Sequence, residues 1–304
     1  MIYRSRFRTR LRGGKELLAA ALLAGAAALT AGCGAAHSPN HRLKAHAGND
    51  TNIARILLER AAQEAVHARG SRPLNEATSV RIHITEYSAD IFNPGSAYAF
   101  TLLGTTLRTT TVTDQSAAEI SDTYLPLHFA NAASAAAWRF SRTPNPIRTG
   151  PTGKRRRIPA GIFGFLPQGP PLTYAEVMRL PSVAGVIANV VRAHTEPRSR
   201  TAALLLRQYA FLLGTAPVSA AVRAAILRAM ANLPGIALCA PAKARFADVC
   251  LTEGSDRYEV VIDIQHGTLV AVVQRLMAAS PLFPTVAPGS VVERDAFRIL
   301  PQHG

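Results

Sequence analysis

The sequence predicts an α+β fold: an antiparallel sheet packed against a central group of helices, preceded by a signal peptide. Three observations carry that prediction. Val80, Ile82 and Ile84 alternate with polar side chains, as do Val260, Ile262 and Ile264, which is the period of half-buried strands. Residues 173–234, lying between those two runs, place apolar side chains at helical spacing between Pro and Gly punctuation. At the N-terminus a basic segment leads into a short apolar run.

Residues 1–16 carry Arg4, Arg6, Arg8, Arg10, Arg12 and Lys15 against Glu16 alone, and residues 17–32 carry no charge. This apolar run of 16 residues is shorter than the ~20 a spanning helix needs. A positive flank and a short apolar stretch make a secretory signal peptide, residues 1–32. No adjacent arginine pair opens it, so general export is expected. The run ends Leu29-Thr30-Ala31-Gly32-Cys33, which resembles a bacterial lipobox, with Thr30 where leucine is commonest. The resemblance implies that the Cys33 thiol takes a diacylglycerol and that Cys33 becomes the first residue after cleavage. Paired acyl chains anchor stably where one is marginal. Residues 33–50, rich in Ala, His, Gly and Asn, then read as a flexible tether. The domain of residues 51–304 is expected outside the cell membrane, held there by the lipid.

The elements follow in order. Asp50 or Thr51 caps a helix to about Arg69, with Ile53, Leu57, Ala61 and Ala65 on one face and Gly70 as its stop. Val80 to Thr85 is a strand, and Asn93-Pro94-Gly95 a turn. Residues 97–113 read as one long strand or two broken near Gly104, and 123–129 as another strand. Residues 130–140, Ala-rich with Trp138, form a short helix. Residues 51–140 are thus strand-rich, and 141–172 a Pro- and Arg-rich linker containing Lys154-Arg155-Arg156-Arg157. Helices are expected over 174–180, 182–194, 201–213 and 219–233, the last closed by Pro234-Gly235. Residues 235–277 form a C-terminal meander. A two-residue turn at His266-Gly267 would pair Ile264 with Leu269 and put Val260, Ile262, Ile264, Leu269, Ala271 and Val273 on one face. Residues 278–304 remain a tail.

The charge narrows the partners. The chain is +15 overall; residues 1–32 hold six positives and one negative, leaving +10 after them. An exported basic protein is expected to meet anionic lipid headgroups or acidic wall polymers and not nucleic acid; the alternative is that the arginine excess only makes a solvated surface. The run Lys154, Arg155, Arg156 and Arg157 is the candidate anionic-surface contact, each basic side chain near such a surface contributing about 1 kcal/mol. With Cys33 lipidated, Cys239 and Cys250 remain as an even pair in an oxidising compartment. Alternation sets both thiols opposite their apolar neighbours, on one outer face if their strands are adjacent. A bridge there would contribute at most about 3 kcal/mol; the alternative is two separate buried thiols.

No catalytic motif is present: neither G-x-S-x-G nor H-E-x-x-H occurs. Gly150-Pro151-Thr152-Gly153-Lys154 lacks the glycine spacing of a phosphate loop, and Arg155 stands where Ser or Thr is needed. His37, His41 and His46 lie in a tether that supplies no supporting shell for a metal. His83 reads as a strand surface residue, and Asp248, Glu253, Asp256, Glu259 and Asp263 as solvent-face charges. The expectation is a non-enzymatic protein without metal or cofactor.

One phrase resembles a known family. Ile226-Leu227-Arg228-Ala229-Met230-Ala231-Asn232-Leu233-Pro234-Gly235-Ile236 and the turn Asp263-Ile264-Gln265-His266-Gly267-Thr268-Leu269 are similar to the C-terminal half of a poorly characterised family of actinobacterial exported or membrane-anchored proteins. Some members are associated with extracytoplasmic-function sigma factors. This chain departs from them in having a lipobox where they have a cytoplasmic sigma-binding segment. At fold level the element order resembles lipoprotein carriers with a curved sheet and a hydrophobic concavity. The function implied is a lipid-anchored extracytoplasmic binding protein for an apolar or lipid ligand or an envelope protein. The alternative is a sensor domain acting on a transmembrane signalling partner.

Overall fold

The computed structural model describes residues 40–67, 79–92, 98–113, 118–141, 151–159, 164–167, 169–280, 283 and 285–302. Residues 1–32, Cys33, His37, Gly70 and the Asn93-Pro94-Gly95 turn lie outside them. Among the described residues no helix is long and apolar enough to cross a membrane.

The fold is α+β, with one large antiparallel sheet and six α-helices among the described residues. In chain order these are α1 (Asn40–His67), β1 (Ser79–Phe92), β2 (Phe100–Thr113), β3 (Ala118–Tyr124), β4 (His128–Phe129), α2 (Ala132–Ser141), β5 (Thr152–Ile158), α3 (Tyr174–Met178), α4 (Ala184–Ala193), α5 (Ala202–Thr215), α6 (Ala220–Ala231), β6 (Ala237–Leu238), β7 (Phe246–Glu253), β8 (Asp256–Asp263), β9 (Thr268–Leu276) and β10 (Val291–Gln302). The strands lie in the order β5-β3-β2-β1-β10-β9-β8-β7-β6, with β4 on β2.

Three spans differ from the sequence expectation. The helix of the first segment begins at Asn40, not at residue 50, so only residues 33–39 of the expected tether precede it. The 141–172 linker contains a strand, β5, that pairs along β3 from Ala118↔Ile158 to Tyr124↔Thr152. Its sequence Thr-Gly-Lys-Arg-Arg-Arg-Ile shows no apolar alternation because an edge strand here buries little. The basic run therefore lies on a strand and not in a loop. The 278–304 tail supplies β10, the strand that joins the two halves of the sheet by pairing β1 on one side and β9 on the other. Its inward positions include Glu293 and Asp295, so it does not read as a strand from hydropathy.

The long β2 is continuous through Gly104, where an added Cβ would approach Leu127 Cδ2 to 2.8 Å. That glycine marks a close approach and not a break. The β8–β9 hairpin also differs. Ile262, not Ile264, pairs with Leu269, and Val261 with Ala271, so Val270 is an extra residue on β9. This bulge shifts the facing set. Val260, Ile262, Ile264, Leu269 and Val272 enter the core, whereas Ala271 and Val273 turn to the other side.

α5 fills the inner side of the C-terminal half of the sheet, packing on β7, β8, β9 and β10. Ala203 and every residue from 205 to 215 are buried. Its start is fixed by Thr201, whose Oγ1 accepts from the Leu204 N–H. α6 begins in the same way at Ser219, and packs against α1, α4 and α5. α1 crosses α6 and β6 through Ala54, Leu58, Ala61, Ala62 and Ala65, small residues that allow close approach. Phe165, Leu166 and Leu172 extend the same core.

Candidate functional site

Three polar arrangements stand out against this apolar interior. The first is a charged seam on the helix-facing side of the sheet. Alternation points Glu86 of β1, Arg108 of β2, Asp122 of β3 and Arg156 of β5 inward, in line with Ile82, Val112 and Ile120. Arg108 donates from Nε to Asp122 Oδ1 at 2.6 Å, and its Nη1 lies 3.5 Å from Glu86 Oε2. Arg156 Nη2 and the Tyr124 hydroxyl donate to Asp122 Oδ2 at 3.3 and 3.4 Å. Asp122 is 1% exposed.

Across the β1–β10 register, Glu86 faces Asp295, itself 1% exposed. Asp295 Oδ1 has no hydrogen-bond partner. Burial, reinforced by Glu293 and Glu86 and opposed by Arg207 and Arg108, pushes its carboxyl pKa well up. Glu293 is instead paired with Arg207 of α5. The seam can lock four strands in register through the Glu86–Arg108–Asp122–Arg156 pairs, while Asp295 Oδ1 and the Nε atoms of Arg156 and Arg207 stay buried without a hydrogen-bond partner among the described residues. It presents no nucleophile with a base beside it.

The second arrangement lies on the opposite side of the C-terminal strands. Glu259 accepts from Arg257 and Arg275 Nε, both at 2.8 Å. Burial works against its ionisation, but the two guanidinium groups hold the carboxyl below its usual range. Asp263 behaves in the same way, with Arg245 and His266 as partners. Glu259 and Asp263 are thus buried and paired, contrary to the expectation of solvent-face charges, because guanidinium partners on the same face permit the burial.

Asp248 is the exception. Its Oδ1 is buried without a partner, and burial plus the nearby Glu259 pushes its pKa up to about 6, against Arg257 and Arg275. A carboxyl whose folded pKa is raised keeps its proton longer when folded. Its contribution to stability is full below the unfolded pKa and is lost as pH rises through about 6. We expect Asp248→Asn to match the parent in urea midpoint at pH 4 and to exceed it at pH 7. A difference independent of pH would show that this carboxyl does not titrate in that window.

The third arrangement is a groove at the β7 edge. β6 pairs only through Ala237↔Cys250 and Leu238↔Val249. Among the described residues, the outer edge of Leu251, Thr252 and Glu253 has no strand partner. It opens into a groove of about 500 Å³ with the start of α5 and Pro234-Gly235 as its walls. Thr201 Oγ1 donates to Glu253 Oε2 at 2.5 Å across it. Gly235 turns the chain out of α6 with φ +77°, a conformation glycine takes without penalty. Cys239 and Cys250 are joined as a disulfide, their Cα atoms 5.7 Å apart, and Cys250 lines the groove.

The structure places the residues singled out in the sequence as follows. Cys33 lies outside the described residues. Cys239 and Cys250 are bonded to each other, and Cys250 lines the groove. Lys154, Arg155 and Arg157 are exposed on β5, Arg155 paired with Glu119, while Arg156 turns inward to Asp122. His83 lies on the outer face, its Nδ1 3.1 Å from Thr109 Oγ1. Sequence reading passed over Arg108, Asp122 and Asp295, which come together only through strand pairing. The available signal was a charge at strand positions whose parity calls for an apolar side chain. Among the described residues, no group of three or more His, Cys, Asp or Glu side chains is arranged to hold a metal ion. No family model matches the chain, and no curated protein is significantly similar to it.

Proposed function

We propose that the chain is a lipid-anchored extracytoplasmic binding protein that receives an extended segment of an envelope protein in the groove beside β7. The observation that carries this reading is the edge of residues 251–253, without a strand partner among the described residues, opening into that groove, with Cys250 of the disulfide in its lining. An exposed strand edge supplies main-chain donors and acceptors to an incoming strand, and the flanking walls select its side chains. α5 lies where a carrier of the curved-sheet type would hold a lipid, and its side chains fill that space. This favours a protein ligand over an apolar one. The lipobox at Cys33 and the resemblance to exported actinobacterial proteins support the compartment.

A photo-crosslinking residue placed at Thr252 should capture a protein in intact cells, and one placed at Arg192 on the surface of α4 should not. Organic extracts of the purified protein should contain no stoichiometric lipid. A stoichiometric lipid, with no crosslink specific to Thr252, would overturn the reading in favour of a carrier. A captured membrane-spanning protein would assign the chain to the sensor branch of the same reading. Cys33→Ala should release the protein from the membrane fraction; membrane retention of that variant would overturn lipid at Cys33 as the sole tether.

A further inference from the structure

We infer that the outward face of β5, β3, β2, β1 and β10 docks on an anionic phospholipid bilayer. The register assembles this face from residues far apart in sequence. One cross-strand row reads Arg155, Ser121, Thr109, His83, Arg298. The next reads Arg157, Glu119, Thr111, Arg81, Leu300, and Arg294 lies opposite Tyr87 two rows away. Strands lie about 4.8 Å apart, so Arg155 and Arg298 bracket roughly 19 Å of one continuous surface.

In these rows the only carboxylate is Glu119, which is paired with Arg155. Glu86, Asp122, Glu293 and Asp295 all turn to the opposite side. Arg81, Arg294 and Arg298 make no ion pair among the described residues, and Arg294 and Arg298 are exposed. Basic side chains on β5 also serve to guard a sheet edge against pairing with another chain. That role does not extend to Arg81, Arg294 or Arg298, because β1 and β10 are central strands paired on both sides. A sheet face usually sets such charges opposite partners of the other sign. Here they face Thr111, Tyr87 and His83 instead.

Guanidinium groups interleaved with threonine hydroxyls are a donor set for phosphate oxygens. The lipid bilayer is preferred to a soluble polyanion because Leu107, 42% exposed, stands amid these rows between Thr123 and Thr85. An apolar side chain ringed by cations gains from insertion at a headgroup boundary and gains nothing from a phosphate polymer in water. The inference does not use the β7 groove, and it stands or falls apart from the Cys33 anchor.

The test is co-sedimentation of the full chain with vesicles of equal phosphatidylglycerol and phosphatidylcholine, or of phosphatidylcholine alone. The triple variant Arg81→Gln, Arg294→Gln, Arg298→Gln is compared with Arg179→Gln, Arg192→Gln, Arg198→Gln, which removes the same charge from the helical side. All proteins share one N-terminus, so its contribution cancels. The face variant should bind the anionic vesicles about 100-fold more weakly than the parent, since each cation near such a surface contributes about 1 kcal/mol. The helical-side variant should stay within about threefold of the parent, and Leu107→Ser should weaken binding as well. Equal losses in the two triple variants, or no loss in either, would overturn the inference. Full competition by inorganic polyphosphate, with Leu107→Ser unaffected, would overturn it in favour of a soluble polyanion.

Discussion

Gly267→Ala should lower the urea midpoint by the equivalent of about 3 kcal/mol, while Gly254→Ala should cost about 1 kcal/mol. Both glycines sit in hairpin turns with nearly the same left-handed backbone, φ +58° and +59°. Their surroundings differ. A Cβ at Gly254 would meet nothing within 4 Å, whereas one at Gly267 would come within 2.5 Å of the Ala61 carbonyl oxygen and of Ala65 Cβ. Those atoms belong to α1, whose backbone cannot yield as a flexible side chain would. Gly254→Ala therefore measures the conformational cost alone, and the difference between the variants measures how tightly α1 lies on the β8–β9 turn. Equal midpoints would show that α1 does not press on the turn.

Asp122→Ala should be comparably severe, about 3–5 kcal/mol, because it leaves the half-buried guanidinium groups of Arg108 and Arg156 without their shared carboxylate. Glu119→Ala removes a carboxylate with the same apparent role, paired to Arg155 on the neighbouring strand. That pair is exposed to water, and we expect a change below about 1 kcal/mol. The double replacement Asp122→Leu with Arg108→Met should recover only part of the loss, since the apolar pair relieves Arg108 but leaves Arg156 and Glu86 without their partners. Chemical denaturation of the four proteins distinguishes the possibilities. If Asp122→Ala is as mild as Glu119→Ala, water reaches the seam and it does not act as a buried network.

Much of the helical layer is legible in the sequence. Pattern and Pro/Gly punctuation place α3, α5 and α6 near residues 174, 201 and 219, and the structure makes Thr173, Thr201 and Ser219 their caps, each accepting a hydrogen bond from the backbone N–H three residues on. Val80, Ile82 and Ile84 announce β1 by alternation, and all three are buried. β5 and β10 were not legible, for opposite reasons. β5 is an edge strand with little to bury. β10 is central, but its inward residues Glu293 and Asp295 face α5 and β1, where Arg207 and Glu86 decide what is tolerated. Local pattern carries no record of which strand will become a neighbour.

The candidate sites divide along the same line. Parity set Cys239 and Cys250 on one outer face only on the condition that their strands adjoin; the pairing of β6 with β7 meets that condition, and the two cysteines are bonded. The groove that Cys250 lines required the Pro234-Gly235 turn, the start of α5 and the edge of β7 to converge. The basic face likewise required the pairing of β5, β3, β2, β1 and β10. By itself the sequence determined the α+β class, the starts of α3, α5 and α6, the buried parity of β1 and the excess of positive charge. These follow from side-chain period, capping chemistry and composition, all local properties. Only the tertiary structure decided strand order, the bulge at Val270, the pairing of Arg108 with Asp122 and the gathering of Arg81, Arg294 and Arg298 on one face. Those depend on contacts between residues distant in the chain, which chain order does not encode one pair at a time.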